Sequence, residues 1–150
     1  MRFASIVLLL LLAACIRRMT PHVNTQEAVR NYVNGAAEVV ARKGSDACST
    51  LQTRWSDTDW YIFVLDAEGR TLCHPRPEQI GATVHDLVDA RGKRFGDEFL
   101  RVAAEGGGWV SYLWPRPGET ETKDKTSYVR QVTGPDGKVY VIGSGGYQLR

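Results

Sequence analysis

The stretch Trp109 to Tyr128, WVSYLWPRPGETETKDKTSY, constrains the fold more than any other part of this chain. It reads as a strand from Trp109 to Trp114, a loop from Pro115 to Asp124, and a strand from Lys125 to Val132. Alternation sets Val110, Tyr112 and Trp114 on one face of the first strand and Trp109, Ser111 and Leu113 on the other. Tyr and Trp join an apolar body to a polar group that needs a partner when buried. Lys125 adds a compact cation able to neutralise a carboxylate. The mixture suits a small pocket with aromatic walls and a cationic floor. Tyr128 lies three residues past Lys125, so strict alternation separates them: either Lys125 precedes regular pairing, or one of the two lies outside the pocket. The competing reading makes the aromatics core and leaves Lys123 and Lys125 as solvated charges at a strand edge.

Around this unit the pattern is that of one α+β domain. Asn24, with Glu27 three residues on, predicts a capped helix start, and Val29, Tyr32, Val33, Ala36 and Val40 recur as one apolar stripe. Gly44 is the expected stop, with a short turn carrying Cys48 and Leu51 after it. Trp60–Leu65 and Thr71–His74 flank the turn Asp66–Gly69 and read as a hairpin that ends at Pro75. A helical piece is expected around 84–88 and an amphipathic helix through Phe95, Phe99, Val102 and Ala103, ended by Gly106–Gly108. Val139 to Ser144 is the last expected strand. The glycines that follow are too near the end of the sequence to open a phosphate-binding helix; they read as close backbone packing at a sheet edge or against a ligand.

The first residues read differently. Arg2 precedes an apolar run from Phe3 to Ala14, shorter than the ~20 residues that span a bilayer, so residues 1–14 are expected to be a secretory signal. The sequence Leu12-Ala13-Ala14-Cys15 resembles the lipobox of bacterial lipoproteins, which implies cleavage before Cys15 and acylation of its thiol. An ordinary signal peptide cut near Ala14 and an uncleaved anchor are the alternatives. Residues 15–23 are then a tether, with Arg17 and Arg18 facing anionic headgroups, and residues 24–150 the folded domain. No aspartate follows Cys15, which points to an outer-membrane location where such a membrane exists.

With Cys15 lipidated, Cys48 and Cys73 remain as either a disulfide or two buried thiols. The formal charge of +2, with acids interspersed among the basic residues, argues against a nucleic-acid partner. His22, His74 and His85 have no metal-ligand spacing, and acids such as Asp86, Asp89 and Glu98 are read as solvated rather than cation-binding. Ser144 lacks the spacing of a hydrolase nucleophile and His74 lacks a paired base, so no enzyme, metal or cofactor is expected.

Five segments in order resemble the single Cache domain family: YIFVLDAEGRTLCHP (61–75), IGATVHDLVDARGKRF (80–95), GGWVSYLWPRPG (107–118), KTSYVRQV (125–132) and VIGSGGY (141–147). That resemblance covers roughly residues 25–148. It implies a PAS-like fold with a long N-terminal helix on a central antiparallel sheet of about five strands, facing the periplasm or exterior. It also implies a pocket for a small carboxylate formed by His74, Tyr112, Trp114, Lys125 and Tyr128, with Lys125 as charge partner; for His74 the alternative is a strand-end residue held by backbone. Cys73 stands where the family commonly has a small residue, which supports a local bridge to Cys48. No second membrane helix or signalling region is read downstream. The expected role is therefore a lipid-anchored sensor that passes its bound state to a partner such as a membrane receptor or histidine kinase. The alternative is an envelope interaction module with an empty pocket.

Overall fold

The computed structural model describes residues 24–54 and 59–150; the signal segment 1–14, Cys15 and the tether to residue 23 lie outside them. The long helix α1, Gln26–Lys43, begins one residue later than Asn24 predicts. Thr25 is the cap, its hydroxyl accepting from the Ala28 N–H at 3.2 Å. Asn24 instead donates from Nδ2 to the carbonyls of Tyr147 (2.8 Å) and Gln148 (3.2 Å). Two further bonds, Gln26 N–H to Arg150 O and Arg150 N–H to Asn24 O, stitch the start of α1 to residues 147–150. Gly44 ends the helix with φ +57°, a backbone conformation glycine adopts without strain. A 3₁₀ turn, Gly44–Asp46, leads into α2, Ala47–Arg54.

Five strands follow, β1 (Phe63–Asp66), β2 (Thr71–Cys73), β3 (Gly108–Pro115), β4 (Thr122–Thr133) and β5 (Val139–Tyr147), in one antiparallel sheet of order β2-β1-β5-β4-β3. Helix α3, Phe95–Ala104, lies between β2 and β3 in sequence. Ladder pairing in β1 starts at Phe63, three residues later than the aromatic run suggests, although Trp60, Tyr61 and Ile62 are buried. The glycine-rich strand β5 sits in the middle of the sheet, not at its edge, and pairs with β1 on one side and β4 on the other. Glycine is needed at 143 because any Cβ there would run into the Phe63 ring.

The sheet separates two cores. One face packs Val33, Ala36 and Val40 of α1 against Ile62, Val64 and Ile142. The other packs Phe95 and Phe99 of α3 against Phe63, Leu65, Val110 and Val141. Residues 62–65 of β1 and its approach are thus buried on both faces, which is why their sequence is continuously apolar rather than alternating. Among the described residues no helix is long and apolar enough to cross a membrane.

Cys48 of α2 and Cys73 of β2 are bonded, with Cα atoms 5.3 Å apart and a sequence separation of 25. Closing a loop of that length restrains the unfolded chain by about 3 kcal/mol. Reduction, or Cys48→Ser with Cys73→Ser, should therefore lower the melting temperature by about 10 °C, as read by circular dichroism with and without reductant.

Candidate functional site

The cavity face of the sheet is built around Lys125. It is the fourth residue of β4, already paired with Tyr112 of β3 and Tyr147 of β5, so pairing begins well before it. Alternation along β4 sends Lys125, Ser127 and Val129 to the α3 side, and all three are buried. Lys125 is 1% exposed. Its ammonium sits 4.0 Å from the centroid of the Tyr61 ring and 5.4 Å from that of Tyr147. Among the described residues no carboxylate lies within ion-pair distance of it. The solvated edge charge is thus ruled out for Lys125. It holds for Lys123, which is part-exposed and pairs with Glu119 at 2.9 Å.

His74 follows the last residue of β2, and Pro75 prevents the strand from continuing. Its Nδ1 accepts the Arg76 N–H at 3.0 Å, which leaves the ring proton of the neutral imidazole on Nε2. The ring meets Tyr61 edge-on at 4.9 Å. Burial, then the charges of Lys125 and Arg76, lower the His74 pKa to about 4. The imidazole is therefore neutral near pH 7 and presents an N–H donor. Backbone fixes the ring, and the ring lines the cavity.

Tyr112 stacks on Phe95 at 4.3 Å, and its hydroxyl shares a 2.9 Å hydrogen bond with Ser127 Oγ. Burial, then the neighbouring Tyr61, raise its pKa, so the phenol stays protonated. Trp114 meets Phe95 edge-on at 5.5 Å, and its indole N–H is buried without a hydrogen-bond partner among the described residues. Tyr147 donates its hydroxyl to Pro115 O at 2.9 Å, with the Arg116 guanidinium 4.9 Å from its ring centroid.

His74, Tyr112 and Trp114 line a cavity of about 30 Å³ between the sheet and α3. His74, Thr71 and Gln79 give it a polar side; Phe63, Leu65 and Val84 give it an apolar one. Tyr61 also lines it; Lys125 is not among the lining residues and borders the cavity through the Tyr61 ring, whose centroid is 4.0 Å from its ammonium. Tyr128 does not join. Three residues from Lys125, it faces α1, packs against Trp109 at 5.2 Å and belongs to the opposite core. Period-two geometry excludes it from a site centred on Lys125. A residue that sequence reasoning missed is Tyr61, which bridges His74 and Lys125; alternation groups it with Phe63 and Leu65, but its contact with Lys125 depends on the strand order.

Part of the surrounding loop is fixed by Asp89. Its carboxylate accepts from the backbone N–H groups of Arg91 (2.8 Å), Lys93 (3.0 Å) and, on β3, Leu113 (3.0 Å). The Leu113 bond is the first cause of its lowered pKa. Asp89 is thus a structural anchor, not a solvated charge, while Glu98 pairs with Lys93 at 2.7 Å. Nearby, His85 bonds Asp97 at 2.6 Å and the Glu68 carbonyl at 3.1 Å, a pairing that raises the histidine pKa and lowers that of the acid.

Comparison with known proteins agrees with this architecture. The chain is 31% identical over 137 residues to the methyl-accepting chemotaxis protein McpP of Pseudomonas putida, covering 81% of this chain and 25% of that one. It is 34% identical over 90 residues to the sensor histidine kinase MctS of Rhizobium johnstonii, covering 59% and 19%. This chain thus spans about a fifth to a quarter of the length of these relatives, a sensor histidine kinase and a chemoreceptor. Among solved structures, the periplasmic sensor domain of a chemotaxis protein matches at 35% identity and TM-score 0.62, over 81% of this chain and 89% of that one. A Cache chemosensory domain described for carboxylic acid recognition matches at 27% identity and TM-score 0.68, over 81% and 92%. The model of single Cache domain 2 matches residues 22–148, and the chain belongs to the single Cache domain family of extracytoplasmic sensor domains.

Proposed function

We propose that this domain binds a small organic acid, whose carboxylate is held at the His74–Tyr61–Lys125 end of the cavity. The observation that carries the reading is the buried Lys125 ammonium with no anion beside it among the described residues. An unpaired charge in a dry interior is unfavourable, and an anionic guest relieves that penalty. His74 Nε2–H supplies a neutral donor, and the aromatic walls exclude water from the charge pair. The ligand named for the similar Cache chemosensory domain is of this class. Acylation of Cys15 would hold the domain at the cell envelope, and a receptor or histidine kinase would read its bound state.

The test is thermal unfolding of the full chain with small organic acids. A ligand at 100 times its Kd stabilises the fold by ~2.7 kcal/mol, several degrees in melting temperature. Lys125→Met separates binding from folding. It should weaken the acid by roughly 10- to 100-fold, the scale of a charge-assisted hydrogen bond, without lowering the ligand-free melting temperature. A variant that retains the wild-type response to acid would remove Lys125 from the site, and a panel without any response would favour the empty docking module.

Protonation of His74 supplies a second check. The unfolded histidine takes up its proton near pH 6.5 and the folded one only near 4, so the unfolded state binds more protons between those values. Stability should fall as pH drops through that window, by on the order of 3 kcal/mol in full. His85 acts in the opposite sense: its raised pKa favours folding at low pH, and that contribution is lost above pH 6.5. Urea titrations of wild type and His74→Gln between pH 7 and 4.5 should show a shallower decline in the variant. Parallel curves would mean that His74 titrates normally in the folded domain.

A further inference from the structure

We infer that the pocket beside the Pro115–Gly118 loop is an anion site distinct from the cavity under α3, and that it takes a small tetrahedral oxoanion of the sulfate or phosphate class. Its basis is Arg116. Proline on either side restricts the backbone there, and Pro117 biases residue 116 toward an extended conformation. The turn closes through the Glu119 N–H, which donates to the Arg116 carbonyl at 2.9 Å. Pro115 O accepts the Tyr147 hydroxyl at 2.9 Å, and the Arg116 guanidinium lies 4.9 Å from the centroid of that ring. Loop and ring thus hold the cation by position rather than by an ion pair. Its Nε is buried without a hydrogen-bond partner, and among the described residues no carboxylate lies within ion-pair distance of it.

The residues around it come from three elements. Arg116 belongs to the loop after β3, Lys123 to β4, and Tyr147 and Gln148 to the end of β5; with Asp124 they line a surface pocket of about 250 Å³. Alternation puts Lys123 on the same face of β4 as Lys125, about 7 Å from it along the strand. The nearby acids are already engaged, Asp124 with Arg91 at 2.8 Å and Glu119 with Lys123 at 2.9 Å. Both pairs are open to water, where such contacts contribute little, so an anion can draw Lys123 from Glu119. Arg116 is the cation left over. Among the described residues Gln148 is the non-glycine with a positive φ, +54°, and Asn24 Nδ2 holds its carbonyl at 3.2 Å. Strained backbone of this kind clusters at ligand sites.

A guanidinium fork, an ammonium and a side-chain amide thus face one pocket from separate elements. A carboxylate offers two oxygens in one plane, whereas a tetrahedral oxoanion offers four in different directions and can accept from all three groups. Room for one water takes roughly 10–15 Å³, so the pocket admits sulfate or phosphate with water around it. The site also bears on the cavity, because Lys125 Nζ lies 5.4 Å from the centroid of the same Tyr147 ring. Burial, Tyr61 and Asp59 raise the pKa of Tyr147, and the charges of Arg116 and Arg76 oppose the rise. An anion at Arg116 therefore weakens the attraction of this face for an anion at Lys125, and the coupling is reciprocal.

The experiment is thermal unfolding of the full chain in sulfate and in inorganic phosphate, against sodium chloride at equal ionic strength. Wild type should be stabilised by both oxoanions beyond the chloride control. Arg116→Met should weaken both by about 10-fold or more, the scale of hydrogen bonds to a charged group. Arg116→Lys, which keeps the charge but not the fork, should fall between the two. Lys125→Met should keep the sulfate response. Glycerol 3-phosphate separates the sources: a stronger response than to inorganic phosphate assigns the site to a phosphate ester, an equal or weaker one to the free anion. Chloride acting as well as sulfate, an Arg116→Met protein responding like wild type, or a sulfate response lost in Lys125→Met would each overturn the site. Sulfate should also raise the apparent Kd of a cavity-bound acid about fivefold or more in wild type, and not in Arg116→Met; an unchanged Kd in wild type refutes the coupling. That last comparison rests on the carboxylate reading, and the others do not: if no acid shifts wild type, the sulfate response alone decides this inference.

Discussion

Cation–π contact between Lys125 and the rings of Tyr61 and Tyr147 holds the cavity face together, because these partners stabilise an ammonium without neutralising it. A carboxylate in their place would have closed the site to anions. Burial is the first cause of the neutral state of His74, and the same charge, with that of Arg76, reinforces it. One cation in the middle of a sheet therefore adds to the neutrality of its neighbour, and on the proposed reading it sets the sign of the guest.

Division of labour between the two faces depends on register. A one-residue slip of β4 would turn Lys125, Ser127 and Val129 toward α1 and bring Tyr128 and Arg130 to the cavity. The central position of β5 guards against this, since its pairing with both β1 and β4 fixes the two halves of the sheet at once. Phe63 over Gly143 and Ser127 over Gly145 key that register, as larger residues at either glycine would meet their neighbours. The glycines that seemed suited to an edge serve instead to let side chains from adjacent strands lie flat over the middle of the sheet.

Much of the fold was legible because it rests on local signals. The stripe of α1, the Gly44 stop, the turn after β1 and the alternation of β3 each encode their own structure. Alternation even separated Tyr128 from Lys125 before any coordinates, against the pairing that family resemblance implies. What stayed hidden depends on distant partners. Asn24 looks like a cap, but its amide reaches residues 147 and 148, and Thr25 takes its place. Asp89 looks solvated, yet it ties its loop to Leu113. Tyr61 becomes a site residue only once β1 and β4 are brought to either side of β5. The Cys48–Cys73 pairing needed a distance that sequence does not contain.

The hydrogen bonds joining Asn24 and Gln26 to residues 147–150 have a mechanical meaning. They make the base of α1 and the end of β5 a single clamp, and Tyr147, whose ring faces the Lys125 ammonium, is one of its jaws. Because Tyr147 is the last residue of β5 and the ladder partner of Lys125, a displacement there is passed to the foot of α1 through Asn24. The domain thus has a short lever between its cavity and the point where the chain enters it.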